Sequence, residues 1–164
     1  SPPFPSGTQP VTESWNGSSW TEVADLNSDR YFLMGAGIYT SALAYGGDGP
    51  PSGYDALTES WNGSTWTEVG DLNTGRFGAA STNGSSNTSA LCVGGEDPSG
   101  VTAKNEEWNG SSWTEIADIS NSRYSLGGAG TSTSGIVFGG DAPGRVADTE
   151  EWSQGNTIKT VDTD

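Results

Sequence analysis

The sequence has no histidine at all. That removes the usual general base, the usual zinc and copper ligand, and any Ser-His or Cys-His pair. It has a single cysteine, Cys92, so no internal disulfide can form, and its place in the apolar run Ser89-Ala90-Leu91-Cys92-Val93 marks it as a small core residue. Basic residues are scarce: six Lys and Arg stand against 21 acids, for a formal charge of -15. Such a chain repels itself and repels phosphate backbones and anionic membranes, so nucleic acid and membrane insertion are poor expectations. No apolar stretch is long enough to span a bilayer, and no signal peptide or lipidation motif is visible. Apolar residues make up only 31% of the chain and glycines number 25, a composition that leans towards disorder. Seven tryptophans point the other way, to a packed core.

Aligned on those tryptophans, the chain repeats itself. Thr12-Glu13-Ser14-Trp15-Asn16-Gly17-Ser18-Ser19-Trp20-Thr21-Glu22-Val23 recurs from Thr58 to Val69 and again from Asn105 to Ile116. Trp15, Trp61, Trp108 and Trp152 are 46, 47 and 44 residues apart. After each pair of tryptophans comes an Asp-Leu/Ile stretch ending in Arg30, Arg76 or Arg123, then an apolar run closed by Gly46-Gly47, Gly94-Gly95 or Gly139-Gly140. A period this regular calls for repeat architecture before any other reading.

Each period reads as four strands. The first follows the arginine, over Tyr31–Ile38, Phe77–Ser81 and Tyr124–Gly130. The second is the apolar run, Ala42–Tyr45, Ala90–Val93 and Ile136–Phe138, continuous enough to be buried on both faces. The third ends at the first tryptophan and the fourth opens at the second, both alternating like half-buried strands. Asn-Gly between them is a hairpin signal, since both residues tolerate positive φ. The flanking indoles are placed to pack across that turn. A diglycine at the end of the second strand suits close backbone approach around a central channel. No stretch has helical periodicity.

The fold class expected is therefore all-β, with four-stranded antiparallel sheets arranged as propeller blades: a half blade over 11–26 and blades over 30–72, 76–119 and 123–164. The last set ends Thr157-Ile158-Lys159-Thr160-Val161 without a second tryptophan, as a terminal blade edge would. Three and a half blades do not close a ring, which needs roughly four to eight. The missing strands come from upstream sequence, as in the C-terminal part of a longer or processed chain, from a second copy, or not at all, as in an open stacked fibre.

The order of arginine, apolar strand, Gly-Gly, Glu-x-Trp, turn and Trp resembles the kelch repeat, with Trp15, Trp61, Trp108 and Trp152 where kelch repeats usually carry tyrosine. The wording Glu-Glu-Trp-Asn-Gly-Ser-Ser-Trp-Thr-Glu is also similar to kelch-like repeats in tail-fibre and other structural proteins of cyanophage-like bacteriophages. This resemblance covers nearly the whole chain. It implies a structural or adhesive propeller module on a virion or extracellular surface, with its own copies, other virion or appendage subunits, or a host glycan as partners. Kelch propellers include the copper enzyme galactose oxidase, whose histidine ligands this sequence lacks.

Candidate chemistry is weak. Glu13, Glu59, Glu106 and Glu150 precede the first tryptophans, and Glu22, Glu68 and Glu115 follow the second ones. A glycosidase needs two carboxylates in different environments facing one cleft, and copying a motif into each blade singles out no pair. The expectation is a solvated strand face, with these acids paired to Arg30, Arg76 and Arg123, and no enzyme. A polysaccharide-acting enzyme is the weaker alternative, and an assembly scaffold completed by another chain is a further one. Acids follow each diglycine: Asp48, then Glu96 and Asp97, then Asp141. Calcium is the one cofactor such loops allow, but the spacing fits no complete calcium loop and turn capping is the better reading. The variable loops Asp48–Ala56, Glu96–Lys104 and Asp141–Ala147, and the longer connection Thr82–Thr88, are where recognition sits on a rigid scaffold. Tyr54 is an aromatic suited to stacking on a sugar. Asn-x-Ser/Thr sequons occur at Asn16, Asn62, Asn83, Asn87 and Asn109; those at Asn16, Asn62 and Asn109 already serve turns.

Overall fold

A computed structural model describes residues 9–50, 53–82, 84, 86–142, 144, 147–153 and 159–160. Regular structure among them is entirely β. The first described element is a hairpin of β1 (Glu13–Trp15) and β2 (Trp20–Glu22). The first full sheet is β3 (Met34–Ile38), β4 (Ser41–Tyr45), β5 (Thr58–Trp61) and β6 (Trp66–Glu68), hydrogen-bonded in chain order and antiparallel throughout. The second contains β7 (Ala80–Ser81) and β8 (Ala90–Val93), after which a small separate hairpin, β9 (Glu96–Asp97) and β10 (Gly100–Val101), intervenes. It is completed by β11 (Asn105–Trp108) and β12 (Trp113–Ile116), in the order β7-β8-β11-β12. The third is β13 (Gly127–Thr131), β14 (Ser134–Phe138), β15 (Thr149–Ser153) and β16 (Lys159–Thr160).

The core lies between sheets, not within them. Leu43 and Tyr45 of β4 face forward onto Ala90 and Cys92 of β8, together with Met34, Ala36, Trp108 and Trp113. Leu91 and Val93, on the other face of β8, pack onto Val137 of β14 with Ala80, Ile119 and Leu126. Because both faces of β8 are covered, the run Ala90–Val93 is buried along its length. Tyr45 ties the first interface in register. It hydrogen-bonds the Ser81 hydroxyl at 2.6 Å and the Leu91 carbonyl at 2.9 Å, and its ring lies 4.7 Å from that of Trp113.

The tryptophan pairs do pack across their turns, at centroid distances of 5.4, 5.3 and 5.5 Å. The turn itself differs from a two-residue Asn-Gly bend. Trp61 pairs with Trp66, so four residues form the loop, and only glycine takes positive φ (+95° at Gly63). The Asn62 carboxamide holds it, its Oδ1 accepting the N–H groups of Ser64 and Thr65 and its Nδ2 donating to the Thr65 hydroxyl. Asn16 and Asn109 do the same in their loops. Their sequons are thereby absorbed into turn geometry, and Asn87 is absorbed into a contact between repeats (below). Asn83 lies outside the described residues.

The first strands are shorter than their sequence suggests. Phe32 and Ser125 have φ of +54° and Gly78 +61°, all one residue past the aromatic that follows the arginine. This left-handed residue breaks the strand, so Tyr31, Phe77 and Tyr124 make only isolated bridges to Asp48, Glu96 and Asp141 before the sheet resumes. The diglycines are also left-handed, at +61° and +113° for Gly46 and Gly47. A Cβ on Gly46 would sit 2.6 Å from the Arg76 carbonyl, which instead accepts the Gly47 N–H at 2.9 Å. Gly95 donates likewise to Arg123, at 2.8 Å. The first two diglycines thus fasten one repeat to the arginine of the next.

Cys92 is fully buried, and burial pushes its thiol up to about 12. A thiol raised in the folded state holds its proton while the unfolded chain loses it above pH 9. The thiol's contribution to stability is then full below pH 9 and falls by roughly 1 kcal/mol per pH unit as pH rises towards 12. Denaturant titrations should show the decline beginning near pH 9 in the wild type but only near pH 10 in Cys92→Ala, where the raised Tyr31 and Tyr45 phenols take over. Alanine already occupies the matching site, Ala44.

Candidate functional site

Three clusters compete for the role of a site, and the carboxylates before the tryptophans are the first. In the three full repeats they are not solvated. Glu59, Glu106 and Glu150 are no more than 1% exposed, and each is joined to a buried arginine of its own repeat: Arg30–Glu59 at 3.0 Å, Arg76–Glu106, and Arg123–Glu150 at 2.7 Å. The predicted pairing holds and the predicted exposure does not. The reason is hydrogen-bond supply. The second carboxylate oxygen of Glu106 accepts the backbone N–H and side-chain amide of Asn73, at 2.7 and 2.8 Å, while Arg76 donates to the carbonyls of Lys104 and Thr74. Asn27 serves Glu59 and Ser120 serves Glu150 in the same way. Charge this well partnered can be buried. Burial lowers the Arg30 guanidinium from its ordinary value, with Glu59 opposing the shift. Glu22, Glu68 and Glu115, by contrast, are exposed.

The second cluster gathers the acids that follow the diglycines. Asp48, Glu96 and Asp141 each sit opposite the aromatic of their own repeat through paired backbone hydrogen bonds. Tyr31 donates its phenol to Asp48 at 2.5 Å, and Tyr124 lies 3.5 Å from Asp141. The middle repeat has Phe77 instead, and Tyr54 from the preceding loop takes over, stacking on Phe77 at 5.4 Å and donating to Glu96 at 3.3 Å. Phe32 joins Tyr31 at 5.2 Å and Phe77 at 6.1 Å. A ladder of four rings, Tyr31, Phe32, Phe77 and Tyr54, results, with a carboxylate at either end. Phe32 is 61% exposed. Asp48 holds the Tyr31 phenol protonated, pushed up to about 12, and burial with Glu96 raises Tyr54.

Of the sequence candidates, Asp48, Tyr54 and Glu96 are brought together here, while Asp141 sits with Tyr124 in the third repeat. Asp97 is separate: it is 2% exposed and its carboxylate caps the turn of the β9–β10 hairpin by accepting the Ser99 N–H at 2.7 Å. Among the described residues no group of three or more acids and cysteine is arranged to hold a metal ion. Tyr54 presents one face only, the other lying on Phe77. Sequence reasoning missed Phe32, whose only signal is a bulky aromatic where the other repeats have Gly78 and Ser125.

The long connection of the second repeat is a strut. Asn87 donates to the Ser60 hydroxyl at 2.8 Å and accepts from Ser41 at 3.0 Å, so the added length reaches back to the preceding sheet. The third cluster is an aromatic groove of about 440 Å³ between the opening hairpin and the first sheet, lined by Trp15, Trp20, Ile38, Tyr39, Trp61 and Trp66. Neither a scan against protein-family models nor a search of curated proteins finds a match to this chain.

Proposed function

We propose that the chain is a non-catalytic β-propeller-type scaffold, a structural or adhesive module of a virion fibre or surface appendage, that recognises a host glycan through the Tyr31–Phe32–Phe77–Tyr54 ladder. The propeller reading is supported by three meander sheets in series whose first strands neighbour one another, β3 beside β7 and β7 beside β13. It is supported too by a run of hydrogen bonds linking them, from Gly78 N–H to the Phe32 carbonyl and from Ser125 N–H to the Gly78 carbonyl. Strands meeting at their inner ends in this way suit blades around an axis. The arginine–glutamate pairs speak against catalysis, since they tie up the glutamates before the tryptophans alike in each full repeat and leave no singular pair.

The observation that carries the recognition reading is Phe32. An aromatic at φ +54° is strained by roughly 1–3 kcal/mol, and strain of this kind collects at functional sites. Its exposed ring offers a face for the C–H groups of a sugar, and Asp48 and Glu96 offer acceptors for hydroxyls. Phe32→Gly should therefore leave stability unchanged or raise it by about 1 kcal/mol, while abolishing glycan contacts in saturation-transfer NMR against a panel of soluble oligosaccharides. If no glycan perturbs these rings in the wild type, or if a polysaccharide is turned over, the reading fails. A second reading, a scaffold completed by another chain, is favoured by the exposed hairpin at the start.

A further inference from the structure

The opening hairpin repeats the sequence of its counterparts without their surroundings. Glu13 pairs with Glu22 as Glu59 pairs with Glu68 and Glu106 with Glu115. Yet Glu13 is exposed, where Glu59 and Glu106 are buried on arginine. Trp15 is 47% exposed, whereas its counterparts Trp61 and Trp108 are 5% and 2% exposed and donate their indole N–H to the carbonyls of Tyr39 and Asn87 in their own strand one–two connections. Trp20 is 63% exposed, whereas Trp113 is 5% exposed. β5, β11 and β15 are each flanked by strands on both edges, while β1 pairs, among the described residues, with β2 alone. Beside that edge lies the aromatic groove, where Trp61 and Trp66 occupy the positions that Trp108 and Trp113 fill beneath Leu43 and Tyr45 in the next interface.

We propose that this surface is the docking site of a partner β-hairpin that adds to the free edge of β1, sets an apolar strand into the groove, and closes an arginine onto Glu13. The proposal rests on the reading of the chain as a repeat scaffold open to completion. The occupant's chemistry follows from continuity with the interfaces already built. A carboxylate that takes a buried guanidinium in three full repeats asks for one here, and an apolar side chain stands over the tryptophan pair at the first of the sheet-to-sheet contacts. The mode is strand addition, in which main-chain hydrogen bonds give affinity and side-chain pockets give choice of partner. A two-stranded ribbon gains most from it, being marginal by itself.

The probe is a synthetic peptide with the sequence of residues 30–47, from Arg30 through strand two to the diglycine, titrated into the 164-residue protein while indole N–H resonances are followed by NMR. Saturable shifts of Trp15 and Trp20 are expected. Binding should weaken at least about tenfold with an Arg30→Ala peptide, and equally with Glu13→Gln in the protein, as for loss of a charged hydrogen bond. Absence of shifts at Trp15 and Trp20, or binding indifferent to both substitutions, would overturn the proposal. Shifts that instead follow the protein's own concentration and ignore Glu13→Gln would overturn it in favour of packing between copies. Trp108 and Trp113 report the scaffold in the same spectrum: with these unshifted and native-like, a negative result falls on the docking alone.

Discussion

Glu106→Gln is expected to destabilise the protein by about 3–5 kcal/mol, because it strands a charged guanidinium in a buried site. Arg76 has no exposed surface, and its remaining partners are carbonyls of Lys104, Gly94 and Thr74, which satisfy its N–H groups without neutralising it. The glutamine keeps the volume but carries no charge, and its amide would face Asn73, whose backbone and side-chain N–H groups both point at that oxygen. For a chain of this size the melting temperature should fall by roughly 6–20 °C. Glu115→Gln, one strand away and exposed, should change stability by less than about 0.5 kcal/mol. Thermal unfolding of the two variants side by side checks the contrast. Equal, small effects would mean that the pair is solvated after all.

Trp113→Ala should cost about 3–5 kcal/mol, the usual range for truncating a buried indole. The ring packs on Tyr45 and Trp108, and its N–H donates to the Thr58 hydroxyl of the preceding sheet at 2.9 Å. The substitution therefore opens a cavity at the sheet-to-sheet interface and leaves a buried hydroxyl without its donor. Trp20→Ala removes the same residue from the same Trp-Thr-Glu sequence, yet should cost less than about 0.5 kcal/mol, because Trp20 lies mostly in solvent. Chemical denaturation measures both.

That contrast also marks the limit of what the sequence makes legible. Strand order, the indole pair, the diglycine's special backbone and the arginine–glutamate pairing are all encoded within one period, and a reader of one period can find them. The burial of Trp113, Glu106 and Cys92 is conferred by the preceding copy, which local alternation does not describe. Thr58-Glu59-Ser60-Trp61 alternates like a half-solvated strand, yet Glu59 is buried because Asn27, 32 residues upstream, reaches its carboxylate. The aromatic cluster is half legible. Asp48, Glu96 and Tyr54 stand out as loop residues, but the ring ladder depends on a left-handed turn at Phe32 that no propensity favours for phenylalanine. The β9–β10 hairpin has too few residues, Glu96–Asp97 and Gly100–Val101, to leave a periodic trace.

Sheet-to-sheet packing buries the indoles of the full repeats, and solvent exchange of their N–H protons reads that burial most directly. In the protein alone, Trp61, Trp108 and Trp113, which donate to Tyr39, Asn87 and Thr58, should exchange slowly, and Trp15 and Trp20 at once. Uniform exchange across all of them, or protection of Trp20, would contradict it.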